Sequence, residues 1–170
     1  MTPDEGTQGW DALARGAARE RAGVDAEVAA LRRLLCFGVD GASYALPVES
    51  VREIVRVRPI APVPRVTRCV LGVISLRGEI LQVVDLRLRM GLDATEVGRA
   101  TRIVVVHSDE GRVAALLVDS VREVIQVSDD ELGPSPAADG SGLVQALCTR
   151  GDSFVSLLDP ERVLELDADA

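Results

Sequence analysis

The sequence predicts an all-β protein built from small closed barrels, and three observations lead to this prediction. Apolar residues make up 47% of the 170 residues but aromatic residues only 2%, so Val, Leu, Ile and Ala must fill the core, and β-branched side chains pack well on pleated sheets. From Leu34 onward, short apolar runs alternate with Gly-containing turns, as in hairpins. The third observation is an internal repeat of units that are small for independent domains.

The first half of the chain contains five predicted strands and one short helix. The strands are expected at Leu34–Val39, Ser43–Val48, Arg52–Arg58, Val70–Leu76 and Ile80–Val84. Three prolines in the stretch that begins at Pro59 and ends at Cys69 predict an irregular connection, because Pro fixes φ and lacks a backbone donor. Gly41 and Gly78 are expected in tight turns. Asp85 should cap a short helix that ends at Gly91.

The residues before the first predicted strand follow a different pattern. Val24, Val28, Leu31 and Leu35 recur at helical spacing in a segment without Pro. We therefore expect residues 1–33 to form an N-terminal extension that is partly helical or disordered. The helical part would dock on the body of the protein, or would provide a partner-binding or coiled-coil surface.

The second half of the chain repeats the first. Eight of the thirteen residues of Ala45–Val57 are identical in Ala115–Val127, at an offset of 70. The match resumes where Leu76–Glu79 aligns with Thr149–Asp152, and it predicts a second short helix after Asp159. Two such copies should pack together and share a core. The predicted units are a first barrel half (34–92), a connector (93–100), a second barrel half (101–166) and a tail (167–170), with a polar loop at 128–142.

Charge and cysteine usage exclude several classes of protein. The formal net charge is −8, which argues against nucleic-acid binding because such proteins concentrate positive charge. Cys36, Cys69 and Cys148 lack metal-site spacing and are expected to be buried in a reducing cytosol. No signal peptide and no apolar run long enough to span a bilayer is present. The sequence predicts a soluble, cytoplasmic protein without direct membrane insertion.

The sequence contains no recognisable catalytic, cofactor-binding or metal-binding motif. His107 is the single histidine, which leaves no credible zinc site. The acidic run from Asp129 to Glu131 lacks the alternating ligands of a calcium loop and is expected to be a solvated turn. No phosphate loop or nucleophile elbow is present, and the chain has no Lys to complete the acidic pocket of a receiver domain. A non-enzymatic protein without cofactors is expected.

Several linked motifs resemble those of the CheW-like domain family. The run Gly72–Gly78 (GVISLRG), followed by Ile80 and by Val83–Arg87 (VVDLR), is similar to the GV-x-NLRG…VVDLR pattern of that family. In addition, Tyr44–Val48 and Val51–Ile54 resemble its opening strand and turn, and Val118–Val121 resembles its VD-x-V motif. The resemblance covers residues 34–166. Two departures are Ser75, where Asn is usual, and Gln82, where Pro is common.

This resemblance implies a fold, partners and site residues. It implies two SH3-like five-stranded barrels that share a hydrophobic interface. Family members bind the cytoplasmic tip of a methyl-accepting chemoreceptor in a groove between the barrels, and they bind the regulatory domain of a CheA-type histidine kinase within arrays at the inner face of the membrane. Carried over by position, the implied receptor-binding residues are Val51, Glu53, Ile54, Arg77, Val121 and Val124. No residues are implied for the kinase contact.

Each of these residues also has a purely structural interpretation. The valines and Ile54 lie in predicted strands and could be core residues, Glu53 could be a solvated charge, and Arg77 could only close a hairpin. The duplication adds a further prediction, because Glu53 and Arg77 align with Glu123 and Arg150. Each barrel is expected to hold the same Glu–Arg pair.

Three alternative functions share part of this argument. A CheW-like adaptor of a non-taxis pathway, controlling motility, development or gene expression, fits every residue equally well. A small-molecule or nucleic-acid-binding double barrel would need a basic or aromatic face, which the sequence does not indicate. A fragment of the kinase is a third possibility, since its regulatory domain has this fold. Without an ATP-binding motif, a freestanding adaptor is the simpler interpretation.

Overall fold

The structure, a computed structural model, describes residues 31–135 and 140–166. The strands in these residues are β1 (Leu31–Val39), β2 (Ala42–Pro47), β3 (Val51–Arg56), β4 (Val70–Leu76), β5 (Glu79–Asp85), β6 (Arg102–His107), β7 (Val113–Val118), β8 (Ser120–Ser128), β9 (Leu132–Pro134), β10 (Val144–Arg150) and β11 (Ser153–Leu158). Two short helices follow the last hairpins, α1 (Leu86–Arg89) and α2 (Pro160–Val163). The all-β, two-barrel prediction is confirmed.

The strands form two sheets that exchange their first hairpins. One sheet has six strands in the order β8-β1-β2-β11-β10-β9, and the other has five in the order β3-β6-β7-β5-β4. The β1–β2 hairpin therefore completes the sheet of the second half of the chain, and the β6–β7 hairpin completes the sheet of the first half. Our expectation that each half, 34–92 and 101–166, closes into its own barrel is wrong for strand pairing.

Burial on both faces of the exchanged hairpins explains this arrangement. In β1, Leu34 and Cys36 enter the core of the six-stranded sheet, whereas Leu35 and Phe37 enter a core shared by both sheets. The β6 strand behaves in the same way, with Ile103 and Val105 in the core of the five-stranded sheet. The shared core consists of buried side chains from both sheets and both helices, including Phe37, Leu46, Leu86, Val106, Leu116, Leu158 and Val163. A strand buried on both faces is a near-continuous apolar run, as β1 and β6 are.

The hairpins and helix caps follow the local sequence. Arg77 and Gly78 have φ of 51° and 83°, which is a type I′ turn, favoured because its twist matches that of the strands. The Asp85 carboxylate accepts hydrogen bonds from Arg87 N and Leu88 N at 2.9 and 3.4 Å. Asp159 caps α2 in the same manner, with Pro160 in the first turn. The predicted turn at Arg77–Gly78 and both predicted caps are confirmed.

Two predicted boundaries are corrected. Leu31–Arg33 belong to β1 and pair with Gln126–Ser128, so the extension of residues 1–33 is too long by three residues. The rest of the predicted N-terminal helix lies outside the described residues. Within the predicted polar loop, β9 pairs with β10 through Pro134 and Ala146. The first half has only an isolated bridge at the equivalent place, Ala61 with Val73.

Candidate docking surface

The two ends of the five-stranded sheet meet at a seam between β3 and the β4–β5 hairpin. Three polar contacts cross this seam. Glu53 pairs with Arg77, Arg52 Nη1 donates to Glu79 at 3.1 Å, and Arg58 Nη1 donates to the Ser75 carbonyl oxygen at 3.3 Å. Because β3 and β4 are the terminal strands of this sheet, these contacts close the barrel where the backbone ladder does not.

The Glu53–Arg77 pair is bidentate. Arg77 Nε lies 3.0 Å from Glu53 Oε1, and Arg77 Nη2 lies 3.1 Å from Oε2. The Arg77 side chain is 77% exposed and the Glu53 side chain 24%. The hydrogen bonds from Arg77, aided by its charge, lower the pKa of Glu53, and the same contact raises the pKa of Arg77. An ion pair this exposed adds little to stability, so the pair presents an organised charge at the surface.

Exposed apolar side chains come next to two residues of this seam in the sequence. Ile54 follows Glu53 and is 41% exposed, while Ile80 follows the seam residue Glu79 and is 76% exposed. The six-stranded sheet repeats the pattern, with Val124 at 49% and Phe154 at 62%. Ile54 and Val124, two of the candidate receptor-binding residues, therefore present apolar area to solvent on different sheets. A single exposed apolar side chain is ordinary, but the repetition marks equivalent faces of the two sheets.

Val51 and Val121 occupy a different position from the other candidates. Both are half-buried and pack against the shared core. Val51 begins β3, and Val121 lies near the start of β8, where it pairs with Phe37. The two valines therefore mark the border of the two sheets, with one valine on each sheet. Part of each valine side chain is therefore a core contact, as in the structural interpretation, and the rest of the side chain is accessible to solvent.

The second predicted ion pair does not form. Arg150 Nη1 lies 3.9 Å from Glu131 Oε1, and Glu123 is not its partner. Glu131 stands immediately before β9, the strand that pairs with β10, and this brings its carboxylate to the β10–β11 hairpin. The first half has only the Ala61–Val73 bridge where β9 pairs with β10, and the prediction of the same Glu–Arg pair in both barrels is wrong.

A second ion-pair network joins the two sheets. The Arg87 guanidinium, at the start of α1, contacts Asp119 through Nη2 at 2.8 Å and Nε at 3.0 Å, and Asp40 through Nη1 at 3.2 Å. Asp119 lies between β7 and β8, and Asp40 lies in the β1–β2 turn, where its N–H donates to Asp119 Oδ2 at 2.8 Å. The Arg87 and Asp119 side chains are largely buried, so this network fixes one sheet against the other.

The carboxylates of this region respond in opposite directions to their surroundings. Hydrogen bonds from the Arg87 side chain lower the pKa of Asp119, and the Asp40 N–H acts in the same direction. Burial raises the pKa of Asp85, although the backbone N–H groups of Leu88 and Arg87 oppose that effect. Asp119 is therefore held as a carboxylate by its arginine partner.

Comparison with known proteins identifies the family. A model of the CheW-like domain matches residues 33–168. The chain belongs to the CheW-like family. It is 37% identical to the chemotaxis protein CheW of Rhizobium meliloti over 105 residues, which cover 62% of this chain and 67% of the relative. It is 31% identical to CheW of Helicobacter pylori over 134 residues, covering 77% and 80%.

A solved structure supports the same conclusion. The scaffolding protein TtCheW of Thermoanaerobacter tengcongensis superposes with a TM-score of 0.74 at 26% identity, over 80% of this chain and 94% of that one. The CheW-like chain is thus a scaffold or adaptor of the CheW type. The quoted motifs contain the arginine of each ion-pair site, Arg77 in GVISLRG and Arg87 in VVDLR.

Sequence reasoning singled out the Glu53–Arg77 pair but missed the Arg87 network. Arg87 and Asp119 both stand in motifs that carried the resemblance, VVDLR and VD-x-V. Two charged residues of opposite sign that each follow an apolar strand in a family motif are a usable signal for such a pair. Ile80 and Phe154 were also missed, since an apolar residue beside a hairpin turn is not distinguishable by sequence from a core residue.

The cysteines of this CheW-like chain are buried and unreactive. All three cysteines are free and buried, and burial, together with the charge of Glu123, raises the pKa of Cys36 to about 11, so that little thiolate forms. Across residues 31–135 and 140–166, no group of three or more His, Cys, Asp or Glu side chains is placed to hold a metal ion. None of the helices in those residues is long and apolar enough to cross a membrane.

Proposed function

We propose that this CheW-like chain is a non-catalytic adaptor that couples the cytoplasmic tip of a chemoreceptor to the regulatory domain of a CheA-type histidine kinase in a chemosensory array. The observation that carries the proposal is the family match over residues 33–168, which includes all the strands of both sheets except the first two residues of β1. Both partners are those that the family resemblance implies.

The receptor tip is a helical hairpin, and the border of the two sheets is suited to such a ligand. An amphipathic helix binds a groove by burying a few apolar anchors. Val51 and Val121 provide apolar surface at the border, one from each sheet, and Ile54 and Val124 provide exposed apolar surface farther along the same strands. The Glu53–Arg77 pair would then lie at the rim, where charges tune association rate and specificity more than affinity.

Binding of two purified fragments tests the proposal. The probes are a receptor cytoplasmic-tip fragment and a kinase regulatory domain from the same organism, each titrated against the full chain by calorimetry. Ile54→Ser and Val124→Ser remove exposed side chains and should leave the fold intact. Truncating a central apolar contact costs roughly 1 to 3 kcal/mol, so each variant should weaken receptor binding about 5- to 150-fold. Kinase binding should change less than about twofold, because the two partners are expected to use different surfaces.

Val63→Ser is the matched control, since Val63 is 37% exposed and lies in the Pro-rich connection. It should leave receptor binding unchanged. Equal weakening of both partners by Ile54→Ser at unchanged melting temperature would show that the receptor surface is misplaced. Absence of binding to either fragment by the wild-type chain would overturn the proposal itself.

A further inference from the structure

A cavity of about 400 Å³ lies where β3 and β6 meet the connector, and arginines dominate its walls. Arg56, Arg99 and Arg102 line it together with Val57 and Val97. The chain as a whole carries a net charge of −8, so this concentration of positive charge runs against the average of the protein. The cavity is separate from the Glu53–Arg77 pair, whose residues do not line it.

Two of these arginines stand directly opposite one another. Arg56 of β3 pairs with Arg102 of β6 in the antiparallel register, and like charges in this arrangement destabilise a sheet. None of the ion pairs found among the described residues involves Arg56, Arg99 or Arg102. The positive charge of the cavity is therefore not neutralised by a carboxylate from residues 31–135 or 140–166.

The other half of the molecule shows that the fold does not require this repulsion. At the equivalent place in the six-stranded sheet, Arg33 of β1 pairs with Gln126 of β8, so one arginine faces a neutral amide. Gln126 occupies the position of Arg56 at the offset of 70. The second arginine is thus a local feature of the five-stranded sheet, which favours a role in binding over a role in folding.

Hydrogen bonds within the loop that carries Arg99 also order this side of the cavity before any ligand binds. Arg102 Nη1 donates to the carbonyl oxygens of Arg99 and Thr101, both at 2.8 Å. The buried Thr101 hydroxyl accepts a hydrogen bond from Gly98 N at 2.8 Å. These contacts hold the turn that carries Arg99, so a ligand would not have to order it, and preorganisation of this kind reduces the entropic cost of binding.

We propose that this arginine pocket binds an acidic peptide segment of a protein partner, with carboxylates on the three arginines and an apolar side chain against Val97. Arg recognises carboxylates through paired hydrogen bonds, and it is enriched in binding sites. Val97 is 55% exposed at the rim, and this apolar area distinguishes an acidic peptide from a purely inorganic anion. The site goes beyond the proposed adaptor function, since it lies outside the candidate receptor-binding residues.

The test uses the full chain and a fluorescently labelled pentapeptide, Glu-Glu-Leu-Glu-Glu, titrated by fluorescence anisotropy at low and high salt. Arg56→Gln recreates the Arg–Gln pair of the other sheet and should therefore fold. It should weaken peptide binding at least about fivefold, as expected for the loss of one charge-assisted contact. Arg68→Gln is the matched control, because it removes the same charge from an exposed residue outside the cavity, and it should change binding less than about twofold.

A stability measurement gives a second readout. Arg56→Glu supplies a carboxylate opposite Arg102, so it should abolish peptide binding and raise the melting temperature by about 2–4 °C as repulsion becomes attraction. Lack of saturable binding at millimolar peptide would overturn the proposal. Equal losses in Arg56→Gln and Arg68→Gln would also overturn it, by showing a net-charge effect. Displacement of the peptide by an equal concentration of inorganic phosphate would instead reduce the pocket to a simple anion site and refute the peptide proposal.

Discussion

Replacing Gly72 by Ala should be one of the most damaging single-methyl changes in this protein. Gly72 lies at a bulge of β4 and has a φ of 148°, a backbone conformation that residues other than Gly rarely adopt. A Cβ at this position would lie 2.1 Å from the Ala61 carbonyl oxygen and 2.9 Å from Ile60 Cγ2. The nearest obstacle is backbone, so a change of side-chain rotamer cannot relieve the clash.

The cost can be worked out from the contacts that must break. Ala61 and Val73 exchange two backbone hydrogen bonds, of 2.9 and 2.8 Å, and moving Ala61 away from a new Cβ would break both. Each is worth about 1 kcal/mol, and backbone strain at position 72 adds about 1–3 kcal/mol. Gly72→Ala should therefore lower the free energy of unfolding by about 3–5 kcal/mol, which corresponds to a fall in melting temperature of roughly 10–15 °C.

Urea unfolding, followed by circular dichroism, measures this difference, with Gly91→Ala as the control. Gly91 also has a positive φ, 79°, but an added Cβ would meet nothing within 4 Å. That variant should cost only the strain of the left-handed backbone, about 1–2 kcal/mol. If Gly72→Ala and Gly91→Ala unfold at the same urea concentration, the close approach of Ala61 does not govern the stability of this region.

Three further outcomes are expected. Arg87→Ala should lower the free energy of unfolding by about 2–3 kcal/mol, because it leaves the largely buried Asp119 with the Asp40 N–H as its remaining partner. Arg77→Ala should lower it much less because that pair is exposed, and equal losses in urea unfolding would contradict the distinction. Since the folded-state pKa of Asp119 is depressed, wild type should be more stable than Asp119→Asn at neutral pH. This difference should be lost as the pH falls through the lowered pKa. A difference that stays constant in urea titrations at successively lower pH would refute the assignment. Deleting residues 1–30 should preserve a cooperative melting transition. Deleting residues 1–33 should lower its midpoint, because this deletion also removes the pairing of Leu31–Arg33 with β8 and the Arg32–Asp129 ion pair of 2.9 Å. Identical midpoints would show that this end of β1 is dispensable.

The features that the sequence predicted correctly are those that depend on neighbouring residues. Asp85 and Asp159 cap their helices because an Asp before a short helix can accept hydrogen bonds from the first turn. Arg77–Gly78 forms a tight turn between residues that both continue as strands. The Glu53–Arg77 pair is an exception, because it was predicted from the duplication and not from neighbouring residues, and its bidentate geometry and exposure were not predicted.

The partners of the strands could not be predicted in this way. An apolar run such as Leu34–Val39 shows that both faces of a strand are buried, but it does not specify which strand lies beside it. The two copies are similar enough that the first hairpin of either half fits the remaining strands of the other. The same limit explains the failed Glu123–Arg150 prediction, because the inserted β9 strand, with no full equivalent in the first half, brings Glu131 to Arg150 instead.

The candidate site was predictable in its residues and less so in its geometry. Alternation along β3 cannot distinguish a residue at the sheet border from one inside the barrel, since a bulge between Val51 and Glu53 shifts the register. Val51 therefore packs on the shared core, whereas Val55, on the same side of the alternation, packs in the core of the five-stranded sheet. The arginine pocket depends on a strand pairing between the two halves, and so it required the structure.

The exchanged hairpins also determine when the protein can mature on the ribosome. The β2 strand cannot complete its pairing until β11 has been synthesised, since Ala45 pairs with Leu157. At ordinary elongation rates, the more than one hundred residues between them take roughly 5–20 s to synthesise. During that interval a hairpin that is apolar on both faces has emerged without its neighbours. Nascent chains of this architecture should therefore rely on holding chaperones until the final hairpin leaves the exit tunnel, and should be most prone to misassembly when translation stalls between the two copies.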